Sequence, residues 1–134
     1  MNASLTRQVW ERAQNRCEYC QIGQEFEKNT YEIDHIISRK HGGPTTSDNL
    51  ALSCVHCNVF KGSDIAGLDP LTQKLTTLFH PRRQKWSRHF RWEGPYLRGR
   101  TAVGRVTVSV LDINNGFRVE LREDLIEEGV FPPV

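Results

Sequence analysis

Four cysteines fall in two pairs, Cys17-Glu-Tyr-Cys20 and Cys54-Val-His-Cys57. Each Cys-x-x-Cys turn presents two sulfurs to a shared centre, so two such knuckles can wrap one tetrahedral ion. Thiolate is a soft donor that suits zinc, and four of them leave no open coordination position, which points to a structural ion. The 33 intervening residues exceed ordinary ribbon spacing, so further structure must sit between the knuckles. Two other readings use the same residues. A disulfide framework needs an oxidising compartment, and the N-terminal stretch lacks the apolar run of a secretory signal. A redox Cys-x-x-Cys accounts for one pair and leaves the other unexplained.

Between and just beyond the cysteines lie Asp34-His35, Asn49 and Asn58. Their order, with Ile33-Asp-His-Ile-Ile37, His41-Gly-Gly43, Asp48-Asn-Leu-Ala-Leu52 and Cys57-Asn-Val-Phe-Lys61, resembles the HNH endonuclease family over roughly residues 12–67. The resemblance implies a ββα-metal fold, in which a hairpin and a helix converge on a divalent cation and the zinc knuckles pin hairpin to helix. It implies a metal-dependent endonuclease that hydrolyses phosphodiester bonds in DNA. Such chemistry needs an activated water, a cation for the developing charge and a stabilised leaving oxygen. His35 is the expected general base. Asp34, a hard oxygen donor, suits Mg²⁺ or Mn²⁺. Asn58 stands where the family commonly has its last His, and its amide oxygen is expected to complete the cation site. Asn49 matches the middle Asn, which braces the loop carrying the base. Adjacent residues of a regular strand face opposite ways, so Asp34 and His35 can share one ion only where the strand ends or bends. A zinc-stabilised DNA- or RNA-binding module without cleavage is the alternative function, although binding alone needs no Asp-His pair.

Other polar residues carry weaker assignments. Lys61 is placed to approach the scissile phosphate, with an exposed helix lysine as the plain reading. His56 and His41 read as turn and loop residues, and His80 and His89 as structural. The chain has 134 residues and a net charge of +2, unevenly spread. Residues 1–81 carry −1, residues 82–105 carry +7 and residues 106–134 carry −4. Arg82, Arg83, Lys85, Arg88 and Arg91, from the basic block, join Lys61 as candidate nucleic-acid contacts. With 37% hydrophobic and 25% charged residues the chain can bury a core, and no apolar run reaches the roughly 20 residues of a membrane span. A cytoplasmic protein is expected.

These residues must be held by an α+β fold. We expect one domain, with a core at about 12–67 and a basic C-terminal extension at about 68–134, made of a β-hairpin and helices. A first helix capped by Ser4 ends near Asn15. Tyr31–Ile37 and Asn49–Ser53 read as strands, and a helix follows from Asn58. Trp86–Trp92 reads as a strand whose partner begins at Tyr96. Its Trp86, Phe90 and Trp92 suit core packing better than base stacking. Thr101 caps a helix over 101–113, and a last helix spans Phe117–Glu128.

Overall fold

The computed structural model describes all 134 residues, and the chain divides into two compact units. Unit 1 comprises Met1–Ile65 and His80–Arg83; unit 2 comprises Ala66–Phe79 and Gln84–Val134. The fold is α+β, with short helices and three antiparallel strand pairs. No helix is long and apolar enough to cross a membrane.

In unit 1, helix α1 spans Ala3–Ala13. Its cap is Asn2, whose Oδ1 accepts from the Leu5 N–H at 2.8 Å, and not Ser4, which lies inside the first turn. Gln14 and Asn15 take left-handed backbone angles (φ 54° and 58°) and stop the helix. Val9 is buried, and Arg12 reaches the Ser47 hydroxyl and the Ser47 and Leu50 carbonyls. Strand β1 (Glu32–His35) pairs antiparallel with β2 (Leu50–Ser53), Asp34 opposite Ala51 and His35 opposite Leu50. The expected strand to Ile37 is cut short because the Ile37 N–H donates to the Asn49 side chain and not to a strand neighbour. Helix α2 runs Val55–Lys61, three residues earlier than the pattern from Asn58 suggested. Cys54 starts it: the Cys54 sulfur accepts from the Cys57 N–H, so a knuckle residue doubles as the helix cap.

Unit 2 opens with a hairpin of β3 (Ala66–Leu68) and β4 (Leu75–Thr77). Trp86–Trp92 is not one strand. Trp86–His89 forms a single helical turn, α3, before β5 (Phe90–Glu93), which pairs with β6 (Tyr96–Gly99). Helical spacing of four brings Trp86 beside Phe90, ring centroids 5.1 Å apart, and Trp92 packs edge-on against Phe131 at 5.0 Å. Phe90 is a core residue, and Trp86 and Trp92 are half-buried. Helix α4 (Ala102–Val110) is capped by the Thr101 hydroxyl, which accepts from the Gly104 N–H. A side chain at Gly104 would place its Cβ 1.9 Å from the His89 carbonyl oxygen, so only glycine lets α4 approach this closely. Helix α5 spans Gly116–Glu127 and carries Arg122, fully buried, with Nε donating to the Pro95 carbonyl and its guanidinium 5.3 Å from the Trp92 ring centre.

Candidate active site

The four cysteine sulfurs lie within 4.8 Å of one another, and every one of these residues is buried. Tetrahedral zinc–sulfur bonds of about 2.3 Å set sulfurs about 3.8 Å apart, and the Cys20 and Cys54 sulfurs are 3.8 Å apart. The two knuckles repeat one geometry: the Cys20 N–H points at the Cys17 sulfur and the Cys57 N–H at the Cys54 sulfur. Hydrogen bonding to Cys17 and then Cys20 pushes the thiols of Cys54 and Cys57 well above the ordinary range. A dication relieves such crowding by taking the sulfurs as thiolates. The donor set therefore fits a tetrahedral metal site of the zinc type.

Asn49 is the brace of the loop between β1 and β2. Its Oδ1 accepts from the Ile37 N–H, and its Nδ2 donates to the Ile37 and Pro44 carbonyls, all at 2.9 Å. Gly43 lets the loop close, since a Cβ there would meet the Ile37 carbonyl oxygen at 1.7 Å. The half-buried His35 stands where β1 feeds this loop, with Nε2 2.9 Å from the Thr45 hydroxyl. Asp34 turns the other way, as strand alternation requires. It is 4% exposed; Oδ2 accepts from the Tyr19 hydroxyl at 2.7 Å, and Oδ1 faces the Lys61 ammonium at 3.1 Å. Burial pushes its carboxyl above the usual range, against the pull of the Lys61 charge and the hydrogen bonds from Tyr19 and Lys61. Burial and the Asp34 charge likewise keep the Tyr19 hydroxyl protonated, so it serves as donor.

Residues 17–64 match the family model described as HNH endonuclease. The matched segment holds both knuckles, the β1–β2 hairpin and α2. The Septu protein PtuA of Bacillus mycoides (strain KBAB4) is 33% identical over 92 residues, which take in 60% of this chain and 13% of that protein. The chain thus spans a small fraction of that relative's length. No solved structure matches the chain.

Within the matched segment, Lys61 is neither exposed nor turned to solvent. It is 2% exposed and also donates to the His35 carbonyl at 3.2 Å, which ties α2 to the strand bearing both site residues. Asn58 lies half-buried on α2 one turn before Lys61. His56 stacks against Phe60, His41 is exposed in the loop, and His80 accepts from the Arg82 N–H through Nδ1. Of the basic residues, Arg82 is partly buried and paired with Glu18 inside unit 1. Arg83, Lys85 and Arg88 are exposed, and Arg91 is loosely paired with Glu93 at 3.5 Å. The sequence reading missed Tyr19 as the partner of Asp34. Its only local signal is an aromatic hydroxyl inside a buried knuckle, a group that needs a hydrogen-bond partner.

Proposed function

We propose that the chain is a metal-dependent endonuclease acting on phosphodiester bonds in DNA. The observation that carries this reading is the half-exposed His35, set at the end of β1 by a loop that Asn49 holds through three hydrogen bonds. In this reading the neutral imidazole takes a proton from the attacking water. The Thr45 hydroxyl beside Nε2 orients the ring, and Asn49 keeps the loop from drifting. Asp34 and Asn58 are the residues that hold Mg²⁺ or Mn²⁺. In this reading Asp34, 4% exposed and facing away from His35, offers its remaining lone pairs to a hard cation only where the Lys61 ammonium gives way. Such a cation, when bound, supplies stabilisation of the developing charge and of the leaving 3′ oxygen. Cys17, Cys20, Cys54 and Cys57 hold structural zinc, a site that suits a reducing compartment such as the cytoplasm. Arg83, Lys85 and Arg88 contact the DNA backbone.

A second reading, a zinc-stabilised nucleic-acid-binding module without cleavage, draws support from the burial of Asp34 against Lys61. Incubating supercoiled plasmid with Mg²⁺, Mn²⁺ or chelator, for the parent and His35→Ala, separates the two. We expect metal-dependent nicked or linear product from the parent and a loss of about 10²–10⁴-fold in His35→Ala, with zinc content unchanged. Cleavage by His35→Ala at the parent rate overturns the mechanism, and no cleavage by either protein leaves the binding module.

A further inference from the structure

Arg91 and Arg98 are direct cross-strand partners on the β5–β6 hairpin. Like charges placed opposite each other destabilise a strand pair unless something answers them. Here both lean on one carboxylate, Glu93, at 3.5 Å for Arg91 and 3.3 Å for Arg98. All three side chains are close to half exposed, so the pairing is weak and open to exchange. Arg98 also lies over the Tyr96 ring, 5.1 Å from its centre. From α4 comes a third arginine. Arg105 is locked by Asp69, whose carboxylate accepts from Nε at 3.0 Å and Nη2 at 2.9 Å. A guanidinium has five N–H donors, and this bidentate grip fixes its plane while using two of them.

The three arginines line one cavity of about 340 Å³, together with Leu97, Ser109 and Asn114. Asn114 is spent on the wall: its Oδ1 accepts from the Leu97 N–H and its Nδ2 donates to the Leu97 carbonyl, both at 2.9 Å. The exposed Ser109 adds a hydroxyl at the rim. The cavity is therefore rigid on its hairpin and helix sides, and its cationic groups outnumber the carboxylates that answer them. Its space exceeds what a bare phosphate fills, and the exposed Pro70 and half-buried Val108 supply an apolar surface for a sugar.

We propose that this cavity in unit 2 binds one phosphate, with its sugar, of a nucleic-acid strand. Arg105 is the pre-set donor, and Arg91 and Arg98 exchange Glu93 for the phosphate. The choice of a strand over a free nucleotide rests on the nuclease reading; the anion chemistry does not. The test uses the full chain carrying His35→Ala, so that bound DNA stays intact. Anisotropy of a labelled DNA duplex and of its single strand is measured across a salt series, with Arg91→Gln/Arg98→Gln, with Ser109→Glu, and with Lys28→Gln as a charge control. Circular dichroism and zinc content confirm folding. We expect the double variant to lose about tenfold in affinity and its salt slope to shrink by about one to two. Ser109→Glu, which keeps every arginine, weakens binding too, and Lys28→Gln does not. Parent-like affinity and slope in both cavity variants overturn the site. AMP binding that needs these arginines while DNA binding does not overturns the strand assignment. Arginine-dependent DNA binding by a protein that never cuts plasmid upholds the cavity while the nuclease reading falls.

Discussion

Asp34 receives two buried donors, Tyr19 from the first knuckle and Lys61 from α2, so one carboxylate joins the cysteine frame to the helix. Removing one member of a buried ion pair leaves the other charge without an answer, a loss of about 3–5 kcal/mol. Lys61→Met is expected to destabilise unit 1 by that amount in urea unfolding, and adding Asp34→Asn is expected to return much of it. A double variant no more stable than Lys61→Met would show that the pair is not coupled. Tyr19→Phe removes only a hydroxyl and is expected to lose about 1–3 kcal/mol. If Asp34 works in cleavage, this variant keeps its zinc and needs more Mn²⁺ for half-maximal nicking. Parent-like Mn²⁺ dependence would confine Tyr19 to packing. The site was legible in the sequence where residue types and spacing are local: the knuckles, the Asp34-His35 step and Asn49 all declare themselves over a few positions. Tyr19 and Lys61 declare nothing locally. Their roles come from a contact across 15 residues for one and 27 for the other, and no pattern in either segment marks it.

At the scale of elements, α2 begins on a cysteine of the four-sulfur cluster, so the proposed zinc site and the helix start share one residue. Cys57→Ser is expected to lose zinc and with it the helical signal of α2 and the hydrogen bond that starts it. Retained zinc with unchanged circular dichroism would remove the four-cysteine site. In unit 2, Gly104 plays the matching part, because α4 can rest near the His89 carbonyl only without a Cβ. Gly104→Ala is expected to lose at least about 1–3 kcal/mol despite the better helix propensity of alanine; a gain in urea midpoint would refute the close approach. The same elements show why parts of the fold read easily and others do not. Thr101 announced α4 because a cap is a local event, and the strand beginning at Tyr96 was legible as the partner of the one before it. The hairpin of β3 and β4 escaped because Leu68 and Leu75 are exposed and give no buried alternation. Helix α3 escaped because a single turn leaves no periodicity to detect. Asn2 and Ser4 are both good caps, and only the bond to Leu5 decides between them.

For the molecule as a whole, the +7 block of residues 82–105 is not a free cationic surface. Arg82 answers Glu18, Arg105 answers Asp69, and Arg91 and Arg98 share Glu93, whereas Arg83, Lys85 and Arg88 enter none of these ion pairs. The hydrogen bonds of Arg105, with smaller help from Thr72 and the Leu71 N–H, hold the Asp69 carboxyl well below the usual carboxylate range. In the unfolded chain that group titrates near about pH 3.9. Above this value both states are ionised and the full stabilisation is present. As pH falls below it, the unfolded chain takes up the proton first, and stability declines towards the lower folded value. Asp69→Asn removes the group that titrates. Urea unfolding at about pH 7 and about pH 3, followed by fluorescence in a Trp10→Phe background so that Trp86 and Trp92 report unit 2, should show the parent well above Asp69→Asn at the higher pH and the gap narrowed at the lower. A gap of equal size at both values would mean that Asp69 contributes through shape alone and that its charge does not hold Arg105 in place.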